Sequence, residues 1–89
     1  MIRKELHQQT VKEEMEEFMF LGLRLVEGVS EQEFLLRFQK RMDLVYGEQI
    51  RKFIRLSLME RVDGRLRLTP RGMDVSNVIL SEFLLEEGV

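Results

Sequence analysis

The chain has 89 residues, 44% hydrophobic and 34% charged, which is enough for one compact core and places it among single small globular domains. Its net charge of −2 is too small to mark a polyelectrolyte partner, and the absence of cysteine excludes disulfides and thiolate metal ligation. No apolar run is long enough to cross a bilayer, and the start Met1-Ile2-Arg3-Lys4 is not followed by the apolar core of a signal peptide, so the expected location is the cytoplasm, with no membrane partner.

Residues 1–9 carry no consistent period and read as a disordered linker remnant, leaving 10–89 as the folded domain. Thr10 with Glu13 has capping-box spacing and predicts a helix over 11–26, stopped at Glu27-Gly28 because glycine tolerates the left-handed conformation common at helix ends. Ser30 with Glu33 is a second box, opening a helix to about 42 with Phe34, Leu35, Phe38 and Met42 on one face. Tyr46-Gly47 is expected to separate it from a third helix over 48–60 that turns Ile50, Phe53, Ile54, Ser57 and Leu58 inward.

The period then changes. Around Asp63-Gly64 polar and apolar residues alternate, which predicts a hairpin with Leu66 and Leu68 inward and Arg65 and Arg67 facing water. Thr69-Pro70 supplies an N-cap and a proline at the first helical position for a last helix to about 85, with Val75, Val78, Ile79, Leu80 and Phe83 available to the core. Three helices, a small wing and a C-terminal helix make a mainly α, winged-helix-like domain.

Catalytic constellations are weak. His7 is the single histidine and sits in the unpatterned start; Glu13, Glu14, Glu16 and Glu17 fan around a helix and do not converge as hard-cation ligands must. Gly22, Gly28 and Gly72 lack the strand and spacing of a phosphate loop, and Met15, Met19 and Met42 fall at core positions. No catalytic, cofactor-binding or metal-binding residue is expected.

Two features could carry binding. Residues 51–71 hold seven basic side chains (Arg51, Lys52, Arg55, Arg61, Arg65, Arg67, Arg71) against Glu60 and Asp63, a net of +5 that leaves −7 for the remainder. In a winged helix that binds DNA the third helix enters the major groove and the wing meets the backbone, so Arg51, Lys52, Arg55, Arg65 and Arg67 form a nucleic-acid alternative. The third helix offers few of the Asn and Gln side chains that read base edges. The second feature is apolar surplus on the first helix. Val11, Met15, Phe18, Met19, Gly22 and Val26 share one face at 100° per residue, whereas Phe20 falls among Glu13, Glu17 and Arg24, and Leu21 lies off the stripe. Either the hairpin or N-terminal tail folds over Phe20, or Phe20, Leu21 and Arg24 dock on another domain.

The ordered series Glu17-Phe18-Met19-Phe20-Leu21-Gly22-Leu23-Arg24-Leu25-Val26-Glu27-Gly28-Val29, Phe34 and Phe38, Leu58-Met59-Glu60, Asp63-Gly64-Arg65-Leu66-Arg67-Leu68-Thr69-Pro70-Arg71-Gly72 and Ser76-Asn77 resembles the C-terminal domain of oxygen-independent coproporphyrinogen III oxidases and their heme-chaperone-like relatives. The resemblance covers nearly everything after residue 14. It implies a radical-SAM parent protein of heme biosynthesis, an oxidoreductase or a heme chaperone, whose S-adenosylmethionine and [4Fe–4S] cluster are held by cysteines of a barrel outside this chain. The segment Leu21-Gly22-Leu23-Arg24 looks closer to the chaperone-like branch. By that resemblance the chain is a non-catalytic accessory domain whose partner is the barrel of the same polypeptide, the basic stretch is a solvated or intramolecular face, and a free-standing nucleic-acid-binding module is the alternative.

Overall fold

A computed structural model of the chain describes residues 10–84. The linker reading of 1–9, His7 and the expected end of the last helix near 85 lie outside the described residues. The first helix, α1 (Val11–Leu23), opens with the predicted box: Thr10 Oγ1 accepts from the Glu13 amide at 3.1 Å and Glu13 Oε1 accepts from the Thr10 amide at 3.0 Å. It buries Met15, Met19 and Leu23 and stops three residues before the expected Val26. The Leu25 amide turns back to the Gly22 carbonyl at 3.0 Å, and Gly28, at φ 77°, completes a tight corner rather than capping the helix itself. Val26 therefore leaves the helical stripe and is 81% exposed; Val11 is also exposed. The corner leads into a two-residue strand, β1 (Val29–Ser30), too short to leave a period in the sequence.

The second helix, α2 (Glu31–Phe38), is capped by Ser30, whose hydroxyl accepts from the Glu33 amide at 3.1 Å. It ends four residues before the expected 42 because Gln39 adopts the left-handed conformation (φ 56°) and its amide donates to the Leu35 carbonyl, an αL stop without glycine. Leu35 is consequently exposed and Met42 begins the next element. The third helix, α3 (Met42–Arg55), runs through Tyr46-Gly47, where the expected break is only a kink at Tyr46 (φ −121°, ψ 17°). It closes at Ser57 (φ 64°): the Ser57 amide donates to the Ile54 carbonyl at 3.0 Å and the Leu58 amide to the Phe53 carbonyl at 2.9 Å, the paired bonds of a Schellman stop. Ser57 is thus an exposed terminator and not part of the inward set.

Two further strands, β2 (Met59–Val62) and β3 (Arg65–Leu68), form the wing around Asp63 and Gly64, both at positive φ (52° and 77°) as a two-residue hairpin turn requires. The antiparallel order is β1-β3-β2, with Val29 opposite Leu66 and Arg61 opposite Leu66 on the other side. Leu66 and Leu68 are buried. Thr69 then joins the end of α3 to the last helical layer. Its hydroxyl donates to the Ser57 carbonyl at 2.8 Å, its amide donates to the Leu58 carbonyl at 3.1 Å, and the same hydroxyl accepts from the Gly72 amide at 3.1 Å. Pro70 starts α4 (Pro70–Asp74), and Gly72 lies so close to the Leu58 carbonyl that a β-carbon there would collide with it. The expected single last helix is broken at Val75 (φ −120°, ψ 30°), after which α5 (Ser76–Ser81) follows. The break turns Val75 and Val78 outward, while Ile79, Leu80 and Phe83 are buried.

The result is mainly helical with a three-stranded wing, as a winged-helix-like domain demands. Its core is aromatic at the centre: Phe34 touches Phe18, Phe38 and Tyr46, and Phe83 touches Tyr46 and Phe53, with ring centroids 4.8–6.4 Å apart. Among the described residues no helix is long and apolar enough to cross a membrane.

Candidate functional site

The most distinctive surface lies where α1 turns into β1. Gly22 lets this end of α1 settle on Val29, because a β-carbon at position 22 would overlap the Val29 side chain. Gly28 is pressed on the Leu66 carbonyl in the same way. Arg65 closes the corner from the hairpin: its Nε donates to the Glu27 carbonyl and its Nη2 to the Gly28 carbonyl, each at 3.1 Å. The corner is therefore built onto the sheet, yet Leu21 (59%), Leu25 (52%) and Val26 (81%) project from it into solvent. Val26 forms one wall of a groove of about 510 Å³ floored by Leu68, Pro70 and Met73 and rimmed by Glu60 and Arg67. On the other side, Leu21 and Leu25 border a second hollow of about 320 Å³.

The expected docking trio divides. Leu21 is exposed beside the second hollow, and Arg24 is exposed at the end of α1. Phe20, for which the sequence leaves both cover within the domain and docking open, is half-buried and packs on the core. Leu25, Val26 and Met73 are exposed or half-buried apolar neighbours of this surface that sequence reasoning did not single out for docking. Val26 shares the apolar face expected of the first helix only if the helix reaches it; the early stop at Leu23 releases it.

The basic stretch is largely consumed inside the fold. Lys52 pairs with Glu82 at 3.3 Å, Arg67 with Glu60 at 2.7 Å, and Arg61 with both Glu31 at 2.7 Å and Asp43 at 2.9 Å. Arg65 and Arg67, expected to face water, are half-buried because the carbonyls and the carboxylate they bind lie against the sheet. Partial burial works against the Arg61 charge, but Glu31 and then Asp43 outweigh it and raise its pKa. Arg51, Arg55 and Arg71 are exposed.

Other chemistries find little here. Among the described residues no three His, Asp or Glu side chains converge as a metal site. The chain has no cysteine, so its residues do not fit the thiolate-held iron–sulfur cluster that the resemblance implies for the longer protein. Tyr46 is fully buried, its hydroxyl has no hydrogen-bond partner among the described residues, and burial, followed by the nearby Glu16 carboxylate, pushes its phenol above the usual range. Its ring packs between Phe34 and Phe83 in the core.

Residues 9–75 match the family described as the HemN C-terminal domain. The chain belongs to that family. The corner, the wing and the Thr69–Pro70 junction all fall inside the matched stretch. This HemN C-terminal domain is 36% identical over 76 residues to the heme chaperone HemW of Lactococcus lactis subsp. lactis (strain IL1403), a match covering 85% of the chain and 20% of the relative. It is 29% identical over 83 residues to the heme chaperone HemW of Bacillus subtilis (strain 168), covering 93% of the chain and 22% of the relative. The chain thus spans about a fifth of the length of the curated relatives it matches. No solved structure matches it significantly.

Proposed function

We propose that the chain is the C-terminal accessory domain of a heme-chaperone-like radical-SAM protein, acting in cytoplasmic heme metabolism by packing on the barrel that holds S-adenosylmethionine and the [4Fe–4S] cluster. The observation that carries this reading is the match of residues 9–75 to a family described as a C-terminal domain, within relatives roughly four times as long as the chain. The chaperone branch is favoured over the oxidase because both matched relatives bear the chaperone name. The domain itself has no cysteine to hold a cluster, so the cluster belongs to the barrel in this reading. Its contribution is to shape the opening of the barrel and exclude water from it.

The nucleic-acid alternative loses support from the ion pairs. Of the seven basic residues in 51–71, Lys52, Arg61, Arg65 and Arg67 are held by partners within the fold, which leaves Arg51, Arg55 and Arg71 to meet a phosphate backbone. Anaerobic reconstitution of the chain with iron and sulfide, read by absorbance and by coproporphyrinogen conversion, tests the accessory reading. No cluster and no conversion are expected; stoichiometric cluster incorporation would overturn it.

A further inference from the structure

We infer that the α1–β1 corner, with Leu21, Leu25 and Val26 as knobs and the adjoining groove over Leu68, Pro70 and Met73 as a socket, is the face by which this domain docks on the larger domain of its own polypeptide. The inference rests on the accessory-domain reading and deepens it by naming the face and the chemistry of its occupant. Large aliphatic side chains gathered at a turn are unusual on an isolated small domain, because each costs transfer free energy in water that a polar residue would not. Here the turn is also held rigid by the two Arg65 hydrogen bonds and by the close packing of Gly28 on Leu66. A rigid apolar surface loses little conformational entropy when it is covered, which suits it to docking.

The rim specifies the occupant. Glu60 and Arg67 neutralise each other across 2.7 Å at the edge of the groove, and Arg24 and Glu27 bracket Leu25 and Val26 in the sequence with opposite signs. The face is apolar at its centre and near neutral at its border, an arrangement that fits an apolar protein surface and gives an acidic or basic polymer nothing to pair with. Its other half must come from outside this domain, and the matched relatives are roughly four times as long as the chain. The knobs and socket all lie within the stretch shared with the family, residues 9–75, whereas exposed Val78 and Leu84 lie beyond it. The cleft between α2 and α3 near Leu35 is instead ringed by Glu31, Arg41 and Asp43.

The test compares the 89-residue chain alone with a chimera in which it replaces the matched segment of the Lactococcus lactis relative. Hydroxyl-radical footprinting reads side-chain exposure in both. Loss of labelling at Leu21, Leu25, Val26 and Met73 in the chimera, reversed by Leu25→Asp with Val26→Asp, is the expected result. Protection confined to Leu35, Leu36 and Leu44, or to Val78 and Leu84, would overturn this face while leaving the accessory reading intact. Protection nowhere would sink both. Sedimentation of the chain alone provides the remaining arm: a monomer is expected, and a dimer abolished by Val26→Asp would assign the face to a second copy. Because both substituted side chains are already exposed, the variants should keep the wild-type circular dichroism.

Discussion

At the residue scale, Gly28 and Gly64 show that backbone conformation and space are separate requirements. Both have φ 77°, but a β-carbon at Gly28 would meet the Leu66 carbonyl and Arg67, whereas one at Gly64 meets nothing. Gly64→Ala should therefore cost only the left-handed strain of roughly 1–2 kcal/mol. Gly28→Ala should add an overpacking cost of about 1–3 kcal/mol. Equal denaturant midpoints for the two variants would contradict the corner packing. Tyr46 gives a prediction of opposite sign. Its buried hydroxyl has no partner among the described residues, so Tyr46→Phe removes an unsatisfied polar group and should stabilise the domain by about 1 kcal/mol. Because burial raises the folded-state pKa, the neutral phenol's contribution is complete below the unfolded pKa of about 10 and is lost as pH rises above it. Wild-type stability should thus fall in the alkaline range more steeply than that of Tyr46→Phe, measured by urea unfolding at several pH values. Phe18 and Phe20 complete the set. Phe18 packs edge-on to Phe34 and Phe38 at 5.5 and 5.9 Å, and Phe20 is half-buried on the core, so both alanine variants should lose stability, each by less than the roughly 3–5 kcal/mol of a fully buried ring.

At the scale of elements, the junctions are held by polar groups on short reach. Arg61 on β2 binds Glu31 at the start of α2 and Asp43 at the start of α3, tying the wing to two helix N-termini. These side chains are partly exposed, so Arg61→Gln should cost only about 1 kcal/mol and the loss should shrink with added salt. A cost insensitive to salt would mean that the aliphatic stem, not the charge, does the work. The element order, the wing turn at Asp63-Gly64 and the caps at Thr10, Ser30 and Thr69 were legible because each rests on local chemistry: a hydroxyl three residues from an amide, or a glycine at positive φ. The stops at Gln39 and Ser57 were not, since both take the left-handed conformation without being glycine. Nor was the kink at Tyr46, where tertiary packing between Phe34 and Phe83 keeps the helix going past a glycine. The exposed aliphatics follow from such stops: α1 ends before Val26 and leaves it outside the stripe expected of the first helix, and the break at Val75 turns Val75 and Val78 away from the core expected of an unbroken last helix.

At the scale of the whole molecule, charge and apolar surface point the same way. Ion pairing within the fold leaves only Arg51, Arg55 and Arg71 of the basic stretch to meet a phosphate backbone, on a chain of net charge −2, so binding to random duplex DNA should stay within the non-specific range of about 10⁻⁴ to 10⁻⁶ M at physiological salt, checked by fluorescence anisotropy. A sequence-selective nanomolar complex weakened by Arg55→Ala would revive the nucleic-acid alternative. The aliphatic corner, in contrast, leaves the isolated domain less stable than it would be when covered, because burying that surface couples docking to folding. Calorimetry measures this coupling most directly, by comparing the unfolding of the 89-residue chain alone with its unfolding inside the Lactococcus lactis chimera. An accessory domain that packs on its barrel should unfold at a higher temperature in the chimera, merging with the barrel's transition. An unshifted, independent transition at the temperature of the isolated chain would contradict it.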